Sequence, residues 1–224
     1  HKAAVIGVLL ASMVVLEVPK YLFFLPALRG WALPYFFFFY ALMAGLPLFL
    51  RKTIPVVADF DSTWLPSGWP QWLWSPGMVL AAIATSQICH WASSLGKDAD
   101  LSFGLDVSAF TTSSPGAIVL RAVVLVLFAP IAEEIFWRAF LLAQLRKLTH
   151  WSIALFIHAM LFAFAHLPNP WLSLGAFLYG MIFGSWRIRF RSLLPLIAAH
   201  MIVNGLVLIP HFSAQYHVAT RSYP

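Results

Sequence analysis

Two glutamates and an arginine interrupt an otherwise apolar stretch of the chain. The stretch "FAPIAEEIFWRAF" at residues 128–140 contains Glu133, Glu134 and Arg138. A charged side chain at the centre of a bilayer costs about 2.5–3.5 kcal/mol on insertion scales. Charged residues in such surroundings are therefore expected to pair with one another, to face a watery cavity or to take part in chemistry.

Helical geometry separates the two glutamates. Glu134 and Arg138 are four residues apart, so they share one helix face and are predicted to form an ion pair. Successive helical residues differ by about 100°, so Glu133 cannot point the same way as Glu134. Glu133 is therefore expected to face a watery cavity or to find a partner on another helix.

Three further polar side chains lie in apolar stretches downstream. His166 closes "LFAFAH", and His200 and Asn204 share one helix face in "AAHMIVNGL" because they are four residues apart. A carboxylate and an imidazole can take a proton from water, and an imidazole and an amide can donate hydrogen bonds to an oxyanion. Together with Glu133, these groups would form a hydrolytic site without a serine or cysteine nucleophile.

The surroundings of these groups predict a membrane protein. Apolar residues make up 61% of the 224 residues and charged residues only 10%, whereas soluble domains have about 25% charged residues. A spanning helix needs about 20 mostly apolar residues. The expected fold is an all-α polytopic membrane protein, a bundle of about seven to eight transmembrane helices. The candidate spans are 3–18, 31–50, 76–95, 116–145, 151–167, 171–186 and 193–210.

The cysteine count and the net charge narrow the kinds of site and partner that the protein can have. The single cysteine, Cys89, excludes an intramolecular disulfide framework and a cysteine-rich zinc site. The net charge of +6 fits basic loops that face anionic lipid and is no indication of nucleic acid binding. Lysine and arginine cluster in the loops 51–75, 146–150 and 187–192, which are therefore predicted to be cytoplasmic.

Three short motifs occur in order within the predicted spans. They are Glu-Glu-x-x-x-Arg ending at Arg138, Phe-x-x-x-His ending at His166, and His-x-x-x-Asn ending at Asn204. Together they resemble the motifs of the CAAX prenyl protease and bacteriocin-processing (CPBP) family, and in particular of the type II CAAX prenyl endopeptidase. The resemblance covers residues 117–207. It implies an intramembrane endopeptidase that hydrolyses a peptide bond of a membrane-associated protein or peptide.

The resemblance also implies roles for individual residues. Glu133 resembles the general base of the family and is expected to activate water together with His166. His200 and Asn204 look like the pair that stabilises the oxyanion. The chain is accordingly divided into N-terminal transmembrane helices and loops at 1–115, a catalytic core at 116–210 and a C-terminal tail at 211–224.

The expected site also has two supporting residues and, in one alternative, a metal ion. Glu134 and Arg138 look like supports that shape the surroundings of the catalytic residues. No metal cofactor is expected, since the chain has no His-Glu-x-x-His motif. The alternative is zinc, held by Glu133, His166 and His200.

The distances of His166 and His200 from the loops that precede their helices leave two arrangements of the fifth helix open. At about 1.5 Å per residue, His200 lies ~12 Å from its preceding loop and His166 ~24 Å from the corresponding loop. Either the fifth helix starts well outside the bilayer, or Pro168 and Pro170 end it in a polar cavity within the membrane. Among the other histidines, His158 is interpreted as a packing residue that can also support the site.

Two rival functions would use the same polar groups. A proton-coupled transporter would use Glu133 and His166 as a proton relay, but no repeat of paired broken helices is visible. A non-catalytic membrane immunity or scaffold protein of the same fold would be expected to have lost a motif residue, and none is lost. The expected partners are a membrane-tethered protein or peptide substrate and the lipid bilayer, without nucleic acid. The expected location is the cell membrane of a prokaryote, crossed several times.

Overall fold

The described parts of the chain form seven helices and contain no strand, so the predicted all-α class is confirmed there. The computed structural model describes residues 2–17, 32–54, 76–85, 87, 115–167 and 169–221. The helices are α1 (Lys2–Glu17), α2 (Ala32–Thr53), α3 (Pro76–Thr85), α4 (115–148), α5 (Trp151–Phe164), α6 (Pro170–Phe190) and α7 (Leu194–Arg221).

Each predicted span overlaps one helix, and two boundaries differ clearly. Helix α7 continues to Arg221, whereas the span was expected to end at 210, so the predicted tail begins as helix. Helix α5 ends at Phe164 rather than at 167, because the chain turns over residues 165–167. Cys89 lies outside the described residues.

One helix of the described residues is long and apolar enough to cross a membrane by length and composition. It is the segment Pro34–Thr53 of α2, with 20 residues. Four further apolar helices are shorter than a span of about 20 residues. They are Lys2–Leu16, Pro76–Thr85, Trp151–Phe164 and Leu194–Leu206.

Helix α4 changes its hydrogen-bond pattern twice. The segments Val124–Phe128 and Glu134–Leu141 are π-helical, and the α-helical segment Ala129–Glu133 lies between them. At the end of each π segment an N–H donates five residues back: Ala129 to the carbonyl of Val124, and Leu142 to the carbonyl of Trp137. Such π segments are rare and occur frequently at functional sites.

Glycines let α5 and α6 approach closely. A Cβ atom added at Gly180 of α6 would lie 2.8 Å from the backbone Cα of Ala159 in α5. Gly184, one turn later, would bring a Cβ within 2.5 Å of the side-chain Cδ1 of Leu155. At Gly180 only a residue without a side chain fits, because the added atom would meet backbone, and α5 and α6 therefore pack backbone against backbone there.

The turn from α6 to α7 uses one left-handed residue. Arg191 has φ 59°, and its N–H donates to the carbonyl of Arg187 in the last turn of α6. The guanidinium of Arg187 in turn donates to the carbonyl of Arg191. Three residues, 191–193, connect α6 to α7.

Candidate active site

The predicted ion pair between Glu134 and Arg138 is present in the second π segment of α4. Nη1 of Arg138 lies 3.2 Å from Oε1 of Glu134, and both side chains are fully buried. The guanidinium carbon also lies 4.2 Å from the ring centre of Phe162 in α5 and 5.6 Å from that of Phe183 in α6. A carboxylate and two aromatic faces thus surround the buried cation, and both kinds of contact stabilise it.

His200 of α7 lies between the two glutamates. Its Nδ1 is 2.9 Å from Oε1 of Glu134, a hydrogen-bond distance, and its Nε2 is 3.9 Å from Oε2 of Glu133. The glutamates diverge on α4, as the helical geometry predicts, but an imidazole has a nitrogen on each side and reaches both. Glu133 therefore meets a partner on another helix, one of the two situations predicted for it.

The direction of one hydrogen bond follows from the neighbours of Glu134. This carboxylate faces Arg138 as its counter-ion, and an ionised carboxylate can only accept hydrogen bonds. Nδ1 of His200 therefore donates to Glu134. The sequence predicted Arg138 as the partner of Glu134 and missed His200 as the second one.

His166 lies in the turn that follows α5, and its ring is held by its own segment. Its backbone N–H donates to the carbonyl of Ala163 at 2.9 Å, and its Nδ1 donates to the carbonyl of Phe162 at 2.7 Å. Because a carbonyl oxygen only accepts, Nδ1 carries the hydrogen, and the neutral ring has its lone pair on Nε2. The ring also packs edge-on against Phe162, with the ring centres 4.7 Å apart.

One of the two arrangements predicted for His166 has Pro168 and Pro170 end the fifth helix, and the structure shows where this helix ends. The helix ends at Phe164, before Pro170, and Pro170 is the first residue of α6. Asn169 caps α6, since its Oδ1 accepts from the N–H groups of Trp171 and Leu172 at 3.0 Å each. Asparagine at the cap and proline at the first helical position are a typical helix start.

Asn204 is bonded to α4. Its Nδ2 donates to the backbone carbonyl of Leu125, at 2.9 Å, in the first π segment of α4. His200, one turn earlier in α7, also contacts α4 through Glu134. The two side chains therefore share the face of α7 that is turned to α4, as their spacing predicted.

The six residues predicted for the site gather around α4. Direct contacts join four of them: Glu133, Glu134, Arg138 and His200. The ring of Phe162 touches both Arg138 and His166 and so connects the fifth residue to this group. Asn204 adjoins it one turn along α7.

Two contributors to the site had no signal among the polar residues of the sequence. Phe183 packs edge-on against His200, with ring centres 5.8 Å apart, and also faces Arg138. The carbonyl of Leu125 is a backbone group, which a search for functional side chains does not find. The spacing of Gly180 and Gly184 around Phe183 is the only sequence feature that points to a close contact there.

His158 has the surroundings of a packing residue. It is fully buried, its ring stacks on Phe162 with centres 6.4 Å apart, and it meets Trp137 edge-on. Neither of its ring nitrogens has a hydrogen-bond partner among the described residues. It packs against the ring of Phe162, which also contacts the guanidinium of Arg138.

The described residues contain no group of three His, Cys, Asp or Glu side chains arranged to hold a metal ion. The alternative zinc ligands, Glu133, His166 and His200, therefore do not form such a group in this structure. Nδ1 of each histidine is engaged by another protein oxygen, the carbonyl of Phe162 or the carboxylate of Glu134.

Comparison with known families gives one match. The model of the family described as Rce1-like, type II CAAX prenyl endopeptidase Rce1-like, matches residues 115–206. No curated protein and no solved structure matches the chain. The matched segment runs from the start of α4 into α7 and carries all three motifs, so the predicted resemblance is confirmed over residues 117–206.

Proposed function

From the match of residues 115–206 to the Rce1-like family of proteases, we propose that the chain is an intramembrane endopeptidase. It hydrolyses a peptide bond of a membrane-tethered protein or peptide. The observation that carries this proposal is the position of His200, held between Glu133 and Glu134 among buried apolar side chains. A packing role would not require a second carboxylate beside the imidazole.

The distribution of exposed side chains supports a location in the membrane. On α5, the large apolar residues Trp151, Phe156 and Phe164 are each at least half exposed, whereas His158 is fully buried. Soluble monomers rarely expose apolar patches of more than a few hundred Å². Polar groups inside and apolar groups outside are the arrangement expected of a multi-pass bundle in lipid.

Water activation is assigned to Glu133 and His166. The lone pair on Nε2 of neutral His166 can accept a proton, as can the carboxylate of Glu133. As water adds to the peptide carbonyl carbon, its proton passes to one of these groups and then to the leaving amine. The products are a carboxylic acid and an amine, and no covalent enzyme intermediate forms.

Oxyanion stabilisation is assigned to His200 and Asn204. Nδ1 of His200 already donates to Glu134, so Nε2 can donate as well only when the ring is doubly protonated. In that form the ring makes ion pairs with both glutamates, at 2.9 and 3.9 Å. Asn204 contributes the second hydrogen on Nδ2, because the first is bonded to Leu125.

Glu134 and Arg138 are assigned to positioning. Arg138 neutralises the Glu134 carboxylate, and this carboxylate orients His200 through Nδ1. The third group of a catalytic triad orients its histidine in the same way, although no nucleophilic side chain takes part here. No metal is included in this scheme.

Cleavage of defined peptides by the purified full-length chain tests the proposal. Two internally quenched peptides of one sequence, ending in a cysteine and three further residues, are compared in detergent micelles and in vesicles. One carries a farnesyl group on the cysteine and the other an unbranched hexadecyl chain, so the pair also reports which anchor is accepted. Wild type is expected to cleave at least one peptide.

The matched control is Glu133→Gln, which keeps the shape of the side chain but cannot take the proton. This variant is expected to be inactive while it elutes and melts like the wild type. Cleavage by Glu133→Gln at the wild-type rate would contradict the assignment of Glu133. The absence of cleavage by wild type for every membrane-anchored peptide, whether farnesylated or not, would contradict the proposed activity.

A further inference from the structure

In the first π segment of α4, one backbone carbonyl accepts a hydrogen bond from a side chain of another helix. The N–H of Ala129 donates to the carbonyl of Val124, five residues back. In the same pattern, residue 130 would donate to the carbonyl of Leu125. Residue 130 is a proline, which has no N–H. The carbonyl of Leu125 therefore lacks the donor that this pattern would supply, and this partly buried oxygen can accept from another helix instead.

The side-chain amide of Asn204 supplies that donor. Its Nδ2 lies 2.9 Å from the oxygen of Leu125. A carbonyl oxygen can only accept, so this contact fixes which end of the amide is nitrogen and which is oxygen. One hydrogen of Nδ2 is then held by Leu125, and the other is directed by the planar geometry of the amide.

We infer that Pro130 is a positioning residue for Asn204, and that it acts through the carbonyl of Leu125. Because Pro130 has no N–H to donate to this carbonyl, the carbonyl remains available as the acceptor that orients the Asn204 amide. The consequence for catalysis rests on the oxyanion role proposed for Asn204. The consequence for the orientation of the amide does not depend on that role.

Pro130→Ala restores the missing N–H without adding a polar side chain. The new N–H donates either to Leu125 in the π pattern or to Val126 in the α-helical pattern, four residues back. In the first case it competes with Asn204 for one oxygen, and in the second the tightened turn moves that oxygen. The amide of Asn204 is released in both cases.

The orientation can be measured without any substrate. The chain contains only two asparagines, Asn169 and Asn204, so selective ¹⁵N-asparagine labelling gives two side-chain NH₂ groups in an NMR spectrum. Asn204→Ala assigns them. Asn169 caps α6 through its oxygen and serves as the internal reference. Pro130→Ala is expected to shift the two Nδ2 hydrogens of Asn204 and to leave those of Asn169 in place.

The kinetic part is measured as a double-mutant cycle with the anchored peptides. Pro130→Ala is expected to lower kcat, at most by the roughly 10²–10³-fold that removal of an oxyanion donor causes. In the Asn204→Ala background, Pro130→Ala should cause no further loss. The matched control is Pro47→Ala, because Pro47 is also a buried proline inside a helix but lies in α2; it should leave kcat unchanged.

Each result decides one question. An unchanged Asn204 signal in Pro130→Ala, or an equal loss of kcat with and without Asn204, would overturn the inference. A shifted Asn204 signal in a chain that cleaves no peptide would support the positioning by Pro130 and contradict the proposed hydrolysis. If Pro130→Ala does not fold, Pro130→Ser restores the same N–H and repeats the test.

Discussion

Two helix interfaces meet at the site and are held together by different means. Helices α4 and α7 are joined by polar contacts, from His200 to Glu134 and from Asn204 to the carbonyl of Leu125. Helices α5 and α6 are joined by the close approach of their backbones at Gly180. The first interface fixes the direction in which functional groups point, since hydrogen bonds are directional.

The interface between α5 and α6 fixes how far its aromatic side chains lie from Arg138. Close packing at Gly180 brings Phe162 of α5 and Phe183 of α6 to the same guanidinium, that of Arg138. Aromatic contacts of this kind tolerate a range of angles but fall off with separation. A substitution at the polar interface should therefore change activity through orientation, and one at the packed interface should change stability before chemistry.

The largest expected effect at the polar interface is that of Glu134→Gln. The substitution removes the negative charge that neutralises buried Arg138, and breaking a buried pair costs about 3–5 kcal/mol. The free energy of unfolding, measured by denaturant titration in detergent, should fall by this amount. The adjacent variant Glu133→Gln is the control, because it should lose hydrolysis and keep stability. Equal stabilities of the two variants would refute this division between the glutamates.

Asn204→Ala should come next. Removal of an oxyanion donor lowers kcat by about 10²–10³-fold, or ~2.7–4 kcal/mol. KM should change little, because the donated hydrogen bond acts on charge that exists only in the transition state. Steady-state kinetics with an anchored peptide measure both constants. A rise in KM alone would make Asn204 a residue for substrate binding.

A pair of glycine variants tests the packed interface with a smaller effect. In Gly180→Ala the new Cβ meets backbone atoms of Ala159, so α5 must move, and overpacking of this kind costs about 1–3 kcal/mol. In Gly184→Ala it meets the end of the Leu155 side chain, which can rotate away, and lies at ordinary contact distance from the ring of His158. Thermal unfolding should therefore separate the two variants, with Gly180→Ala the less stable. The reverse order would mean that the crossing is not set by Gly180.

Chelation is expected to have the smallest effect. If Glu133 and His166 activate water without a metal, exhaustive treatment with a chelator should leave the cleavage rate unchanged. Cys89→Ala should also keep activity, since Cys89 precedes the matched segment. Loss of activity on chelation, restored by added zinc, would favour the alternative of a metalloprotease.

The sequence was sufficient for the helices and for the pairs of residues that share a helix face. Apolar runs predicted where the seven helices of the described residues lie, because burial requires apolar side chains over a length set by helix geometry. Spacing by four predicted the Glu134–Arg138 pair and the common face of His200 and Asn204. Each of these predictions depends on local geometry alone.

Contacts across helices were harder to predict. The shared position of His200 between two glutamates depends on the rotation of α7 against α4, and no local pattern specifies it. The π segments of α4 also escaped prediction, because an apolar run does not reveal its hydrogen-bond register. Pro130 was the available signal for the first of them. Asn169 followed by Pro170 is a typical helix start and was a second signal that the predicted spans did not use; it would have put His166 in a turn.

Arg191 stores conformational strain at the C-terminal end of α6. A residue with a Cβ is about 1–2 kcal/mol less stable in left-handed backbone than in right-handed backbone, and glycine avoids this penalty. The chain nevertheless has a cation here, at the C-terminal end of α6, where the helix dipole favours positive charge. Replacement by glycine would relax the backbone and remove one of the charges on which the predicted cytoplasmic location of the 187–192 loop depends. Local stability therefore favours glycine at this position, whereas the predicted orientation of the loop favours a cation.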